Sequence, residues 1–119
     1  MEKQDERFPS RERLRRKADF KRVYEQGSVF QGRHVVLFCL TAGVDGRKAG
    51  FVASRKVGGA VVRNRARRRI REAYRKLRTS LPEEAHAVFV ARAGVTDVDW
   101  EELLAEVADL LKKAGLLTA

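Results

Sequence analysis

The spacing of apolar residues along the chain predicts three helices. The first precedes the most basic stretch of the chain, and the second contains it. In ADFKRVYEQG, Phe20, Val23 and Tyr24 fall on one helical face, and Gly27 is a typical stop. The second helix includes RNRARRRIR, residues 63–71. Its buried stripe is predicted to consist of Ala66, Ile70, Ala73, Tyr74 and Leu77.

The third helix is predicted from a capping-box pattern in which Thr96 is followed three residues later by Asp99. It should end near Gly115, because glycine commonly follows the last turn of a helix. Its core-facing stripe is predicted to consist of Trp100, Leu103, Leu104, Val107, Leu110 and Leu111.

Apolar runs between the helices predict strands. In HVVLFCL, residues 34–40, the side chains on both faces are apolar, so this strand is covered on both sides or has one face lining an apolar groove. Asp45-Gly46 is a good turn signal, and GFVAS, residues 50–54, is expected to pair with the strand before it. HAVFVAR, residues 86–92, is a further strand.

The elements follow the order α-β-β-β-α-β-α, which predicts an α+β fold, an α/β sandwich with helices packed on a central sheet of about four strands. Residues 1–16 are polar and highly charged and are interrupted by Pro9, which predicts a mobile or partner-ordered N-terminus. Within it, residues 1–10 are assigned to a flexible tail. Residues 11–119 are assigned to a single domain, because a chain of 119 residues suffices for one core.

The net charge of +10 comes from one block of the sequence. Residues 47–78 contain thirteen Lys and Arg but only one acid, Glu72, whereas residues 79–119 contain three basic and eight acidic side chains. Like charges four residues apart, such as Arg67 and Arg71, destabilise a helix by about 0.2–0.5 kcal/mol per pair. Since a polyanion relieves that repulsion, the block predicts one face that binds nucleic acid.

The sequence offers no catalytic constellation of its own. His34 and His86 have no cysteine or acidic partners at metal-ligand spacing, and the paired acids at 83–84 and 101–102 are better explained by solvation and by favourable charge at a helix start. The lone Cys39 fits a reducing compartment. Because no apolar run is long enough for a secretory signal or a membrane span, we expect a soluble, cytoplasmic protein.

The basic block also carries a recognisable motif. VGGAVVRNRARRRIREAYR, Val57–Arg75, resembles the signature of the bacterial ribonuclease P protein subunit. The similarity extends to RLRRKADFKRVYEQG (13–27), to GFVASRKVG (50–58) and to the last strand and helix, so that it covers roughly residues 11–113.

The resemblance implies that the protein pairs with a large catalytic RNA, the ribonuclease P RNA, which itself holds the Mg²⁺ ions and removes the 5′ leader from precursor tRNA. The chain would then be a subunit of a ribonucleoprotein endoribonuclease. It would have no catalytic residues, no metal or cofactor of its own and no obligate protein partner. The family's fold also implies a left-handed crossover through the basic helix.

Two sets of residues would contact RNA in the manner that the resemblance implies. The catalytic RNA would lie against Arg55, Lys56, Arg63, Asn64, Arg65, Arg67, Arg68 and Arg71. The single-stranded leader would occupy a cleft between the first helix and the sheet, lined by Arg13, Arg16, Phe20, Tyr24, Arg33, Val36 and Phe38. Aromatic rings can stack on bases while arginines track the backbone. Without the resemblance, the sequence pattern favours Phe20 and Phe38 as ordinary core residues.

Two other functions are compatible with a basic helix. A structural RNA-binding protein of the ribosomal type would use the same helix but would need no leader cleft. An autonomous metal-dependent nuclease would need several converging carboxylates, which the basic block lacks. A cleavage assay on precursor tRNA, with and without a ribonuclease P RNA, distinguishes the three functions.

Overall fold

The computed structural model describes residues 8–118, whose helices and strands follow the predicted order. The helices are α1 (Lys17–Gln26), α2 (Ala60–Leu77) and α3 (Trp100–Lys113). The strands are β1 (Ser28–Gln31), β2 (Val35–Leu40), β3 (Arg47–Val52) and β4 (Ala85–Ala91). Short 3₁₀ helices, Ser10–Glu12 and Arg78–Ser80, precede α1 and follow α2. The predicted α+β class is confirmed, and no helix within residues 8–118 is long and apolar enough to cross a membrane.

The four strands form one sheet in the order β1-β2-β4-β3. Strand β2 is antiparallel to both of its neighbours, whereas β3 is parallel to β4 and connected to it through α2. The predicted pairing of residues 34–40 with residues 50–54 is therefore wrong, because β4 lies between β2 and β3. The chain does reverse direction near the turn signal, where Gly43 and Gly46 have φ of 70° and 76°. A turn signal specifies a local reversal, however, and not which strand fills the space between the two arms.

Each face of the sheet has its own hydrophobic core. On one face, α2 and α3 pack against alternate residues of the strands, with Phe89 fully buried among them. Helix α1 crosses the opposite face, where Val23 is fully buried. The predicted stripe of α2 is confirmed, because four of its members are at most 1% exposed: Ala66, Ile70, Ala73 and Tyr74.

Helix α3 begins later than the capping-box pattern predicted. Asp99 is its N-cap and makes no side-chain capping hydrogen bond, while Thr96 lies in the preceding turn. Backbone hydrogen bonds from Val95 to Arg92 (3.3 Å) and from Asp97 to Gly94 (3.0 Å) keep that stretch in turns. The capping-box prediction is therefore wrong, because these hydrogen bonds hold the backbone around Thr96 in turns that precede the helix.

Residues 8–16, which the sequence assigned to a mobile or partner-ordered N-terminus, pack against the domain. The backbone N–H of Leu14 donates to the carbonyl oxygen of Ala49 at 2.9 Å, which places this segment beside β3. Phe8 packs against the core on the α2 side of the sheet. The part of the predicted flexible tail formed by residues 1–7 lies outside the described residues.

A buried carboxylate ties this N-terminal segment to the rest of the fold. Glu12 is 6% exposed and accepts hydrogen bonds at 2.9 and 2.6 Å from Arg78, which is 4% exposed. Arg47 donates two longer bonds of 3.3 Å to the same carboxylate. Burial raises the pKa of Glu12, but the hydrogen bonds and charges of the two arginines outweigh it, so the pKa of Glu12 lies below its usual range.

Candidate RNA-binding surfaces

The basic side of α2 faces solvent because the opposite side of the helix supplies the core. On this side of α2, Asn64, Arg65 and Arg68 are exposed. The other predicted RNA contacts on the helix are partly exposed: Arg63, Arg67 and Arg71. Arg55 and Lys56 are exposed in the turn that precedes α2. We call the whole set the basic surface: Arg55, Lys56, Arg63, Asn64, Arg65, Arg67, Arg68 and Arg71.

Not every arginine of α2 is directed outward. Arg69, which is absent from the predicted set, donates from Nη1 to the carbonyl oxygen of Val95 at 2.8 Å and so holds the loop before α3. Arg75 donates from Nε to Glu72 at 3.0 Å, and this hydrogen bond keeps the pKa of Glu72 below its usual range. The single acid of the basic block is thus ion-paired within its own helix.

Asn64 has a role within the basic surface that its uncharged side chain does not suggest. Its Oδ1 accepts a hydrogen bond from Nη2 of Arg67, three residues further along the helix. The amide therefore orients one guanidinium group, and an oriented group loses less conformational entropy when it binds a phosphate.

The second surface is an aromatic cluster beside α1. Phe20 lies over Gly50, where a Cβ atom would come within 2.5 Å of its ring. Tyr24 packs edge-on against Phe38, with ring centroids 4.9 Å apart, and Tyr24 remains 40% exposed. The rings are therefore anchored on the sheet yet accessible to solvent. We call this surface the apolar groove, which is formed by Phe20, Tyr24, Val36, Phe38, Val52 and Val90.

The floor of the apolar groove is a row of valines that α1 leaves partly open. Val36 pairs with Val90, which pairs in turn with Val52, and all three are partly exposed. Val29 on the edge strand lies opposite Phe38 and is 50% exposed. Sequence reasoning missed Val29, Val52 and Val90, because their neighbours depend on the strand order.

The three arginines predicted to line the leader cleft lie in different places. Arg16 is the N-cap of α1, the helix that carries Phe20. Arg33 is exposed at the tip of the turn between β1 and β2, at the end of the sheet nearest to Val36, Val52 and Val90. Arg13 lies instead over Phe8, 5.5 Å from its ring centroid, and Phe8 belongs to the α2 side of the sheet. The structure therefore does not bring Arg13 to the apolar groove.

The two surfaces lie on opposite faces of the sheet. The basic surface is carried by α2 on one face, whereas the apolar groove lies beside α1 on the other. Residues 53–59 connect β3 with α2 and join the two surfaces at one end of the sheet. This arrangement can hold two RNA segments at once without overlap between them.

Both histidines have partners that are distant in the sequence. Nδ1 of His34 lies 2.9 Å from Glu106, and Nε2 of His86 lies 3.1 Å from the carbonyl oxygen of Asp45. Among residues 8–118 there is no group of three or more His, Cys, Asp or Glu side chains that could hold a metal ion.

A basic helix and a separate aromatic groove on a four-stranded sheet define a small α+β RNA-binding protein. The sequence model of the ribonuclease P family matches residues 8–115. The ribonuclease P protein component of Acidothermus cellulolyticus is 43% identical over 106 residues, which cover 87% of this chain and 88% of that protein. The ribonuclease P protein component of Caldanaerobacter subterraneus subsp. tengcongensis is 36% identical over 104 residues, which cover 87% of this chain and 90% of that protein.

Solved structures agree with these sequence matches. The ribonuclease P protein of Staphylococcus aureus superimposes with a TM-score of 0.78 at 26% identity, covering 90% of this chain and 98% of that one. The ribonuclease P protein from Thermotoga maritima superimposes with a TM-score of 0.74 at 29% identity, covering 86% of this chain and 96% of that one.

The chain therefore belongs to the ribonuclease P protein family. A member of this family is the RNA-binding protein subunit of a ribonucleoprotein endoribonuclease that acts in tRNA 5′-end processing, and it associates with the ribonuclease P RNA.

Proposed function

We propose that this protein binds the ribonuclease P RNA on its basic surface and the single-stranded 5′ leader of precursor tRNA in its apolar groove. The observation that carries the proposal is the placement of the two surfaces on opposite faces of one sheet. A folded RNA presents mainly phosphates, whereas a single strand exposes base faces. The basic surface suits the first kind of ligand and the groove suits the second.

The assembly is tested by cleavage of precursor tRNA. The protein and the ribonuclease P RNA together should remove the leader at physiological ionic strength, and the protein alone should not cleave. Cleavage by the purified protein in the absence of the RNA would contradict the proposal and favour an autonomous nuclease. Equal binding of precursor and mature tRNA by the complex would instead favour a purely structural RNA-binding role.

The basic surface should bind RNA mainly through phosphates. If it neutralises roughly six to eight of them, log affinity should fall with log salt concentration at a slope of about −4 to −7. The double variant R67A/R71A should bind the ribonuclease P RNA more weakly and flatten that slope by about 1.4–1.8. Filter binding across a salt series measures both quantities.

The matched control for this variant is K112A/K113A, which removes two cations from α3 instead of α2. It should leave the salt slope within about 0.5 of wild type, since α3 carries none of the residues of the basic surface. Unchanged affinity of R67A/R71A at physiological salt would exclude α2 as the docking face.

We also propose that the Mg²⁺ ions of the reaction are held by the RNA and that the protein's contribution is electrostatic and positional. Two polyanions repel each other, and a protein with its charge in one block lowers that repulsion where they meet. High salt or Mg²⁺ screens the same repulsion. Dependence of the cleavage rate on the protein should therefore be greatest at low ionic strength, as a titration of both salts in a single-turnover assay would measure.

Amide variants of the protein's carboxylates separate this contribution from direct metal catalysis. The variants E72Q, E83Q, E84Q, E101Q and E102Q should each leave the chemical step within about threefold of wild type, a change of less than about 1 kcal/mol in barrier. If one of these variants lost cleavage while its folding and RNA binding were intact, the protein would contribute a carboxylate to the active site.

A cytoplasmic location is part of the same proposal. Cys39 is a buried free thiol, and a free thiol is stable in a reducing compartment.

A further inference from the structure

Glu106 of α3 makes three hydrogen bonds to the turn that connects β1 with β2. Its Oε2 accepts from the backbone N–H groups of His34 (2.7 Å) and Val35 (2.9 Å), and its Oε1 lies 2.9 Å from Nδ1 of His34. The side chains of His34 and Glu106 are only 17% and 15% exposed. Hydrogen bonds to an ionised acceptor are about twice as strong as neutral ones, so this carboxylate is a firm anchor for the turn.

The turn is shaped to receive the carboxylate. A Cβ atom at Gly32 would lie 2.6 Å from Oε2 of Glu106, so any side chain there would displace the anchor. From the other side, Arg92 donates from Nη1 to the carbonyl oxygen of Gly32 (3.0 Å) and from its backbone N–H to that of His34 (2.9 Å). The turn is thus held between α3 and the end of β4.

Arg33 is exposed at the tip of this anchored turn, between two depressions of opposite charge. One depression, of about 480 Å³, is also lined by Lys56 and Arg92. The other, of about 450 Å³, is also lined by the acidic residues Glu102 and Asp109 of α3. RNA phosphates are attracted to the first and repelled by the second, so the conformation of the turn decides how Arg33 can meet a phosphate.

We propose that Glu106 is a positioning residue for RNA binding, because it fixes the β1–β2 turn so that Arg33 presents its guanidinium group to a leader phosphate in the basic depression, at the end of the sheet where Val36 pairs with Val90. The inference rests on the proposed function, since it takes the leader as the ligand of Arg33. Glu106 does not contact RNA in this arrangement. Its effect is to order the turn before binding, which removes a conformational cost that a mobile turn would incur.

The test is a double-mutant cycle in the complete complex with ribonuclease P RNA. Affinities for precursor tRNA and for mature tRNA are measured for wild type, E106A, R33A and E106A/R33A, at a temperature well below every melting transition. We expect E106A and R33A each to weaken precursor binding by about three- to tenfold, with mature tRNA binding nearly unchanged. The double variant should bind precursor tRNA with no lower affinity than the weaker-binding single variant, because the effects of residues that act through one another are not additive.

Two further variants distinguish positioning from charge and from fold stability. E106Q retains an oxygen that can accept from both backbone N–H groups and should restore most of the leader-dependent affinity. E101A removes a carboxylate from the first turn of α3, outside both depressions at Arg33, and should behave as wild type. An E106A protein with a lower melting temperature but wild-type discrimination between precursor and mature tRNA would overturn the inference, and so would additive effects in the cycle. If R33A discriminates between precursor and mature tRNA as wild type does, Arg33 does not belong to the proposed leader site.

Discussion

Replacing Glu12 with alanine is expected to lower the free energy of unfolding by about 3–5 kcal/mol, the usual cost of breaking a buried ion pair by removing one partner. The loss arises because Arg78, which is 4% exposed, would keep its charge in a buried site without the carboxylate. Arg47 would lose the same partner. Since domains of this kind are stable by only about 5–15 kcal/mol, a urea unfolding curve should show a large shift.

The exposed carboxylate of Glu25 on α1 provides the control, because E25A should change stability by no more than about 0.5 kcal/mol. The variant E12Q adds a pH test. Because the pKa of Glu12 is lowered by folding, its ionisation stabilises the protein above the ordinary pKa near 4.5, and this contribution is lost as the pH falls through the lower folded-state value. The stability of wild type and E12Q should therefore converge in acid, and a gap that stays constant from neutral pH to pH 3 would contradict the assigned role.

Replacing Phe20 with alanine should reduce the affinity of the complex for precursor tRNA by about ten- to a hundredfold, since stacking of a base on an aromatic ring contributes roughly 1–3 kcal/mol. Binding of mature tRNA should be nearly unaltered. Phe20 is only partly buried, over Gly50, so the loss of stability should be smaller than the roughly 3–5 kcal/mol of a core phenylalanine. Equilibrium binding of the two tRNA forms, with a thermal melt of each protein, provides the measurement.

Phe8 offers a matched control on the other face of the sheet. It is also partly buried, and its ring packs edge-on against Phe51 and Tyr74 at 5.6 Å from each centroid. F8A should lower the melting temperature without a leader-specific defect. A further variant, F20L, retains apolar packing but removes the ring. If F20A loses stability and discriminates precursor from mature tRNA as wild type does, Phe20 is an ordinary core residue.

The elements that could be predicted from the sequence are those specified by local periodicity. The buried stripe of α2 is one example, because Ala66, Ile70, Ala73, Tyr74 and Leu77 recur at helical spacing while basic residues occupy most of the opposite side of the helix. The apolar residues on both faces of 34–40 predicted a strand that is covered on both sides or has one face lining an apolar groove, and in the structure each face of β2 contributes to a hydrophobic core.

The features that could not be predicted all depend on contacts between distant parts of the chain. Nothing near Glu12 in the sequence indicates that it pairs with Arg78. Similarly, the placement of Val52 and Val90 in the groove requires the knowledge that β4 lies between β2 and β3. The direction of Arg13 depends on Phe8, within a segment whose charge suggested a mobile tail.

The central position of β4 has a consequence for the order in which the protein is assembled on the ribosome. Among the described strands, β2 and β3 are neighbours only through β4, which is the last strand to be synthesised. The sheet therefore cannot close until about residue 91 has emerged, and the arginine-rich α2 leaves the ribosome before the strand beside it exists. Such long-range pairing slows folding and leaves strand edges open for longer. During that interval the nascent chain exposes a strongly cationic segment next to ribosomal RNA, so early capture of the basic helix by the wrong polyanion is the hazard that this topology creates.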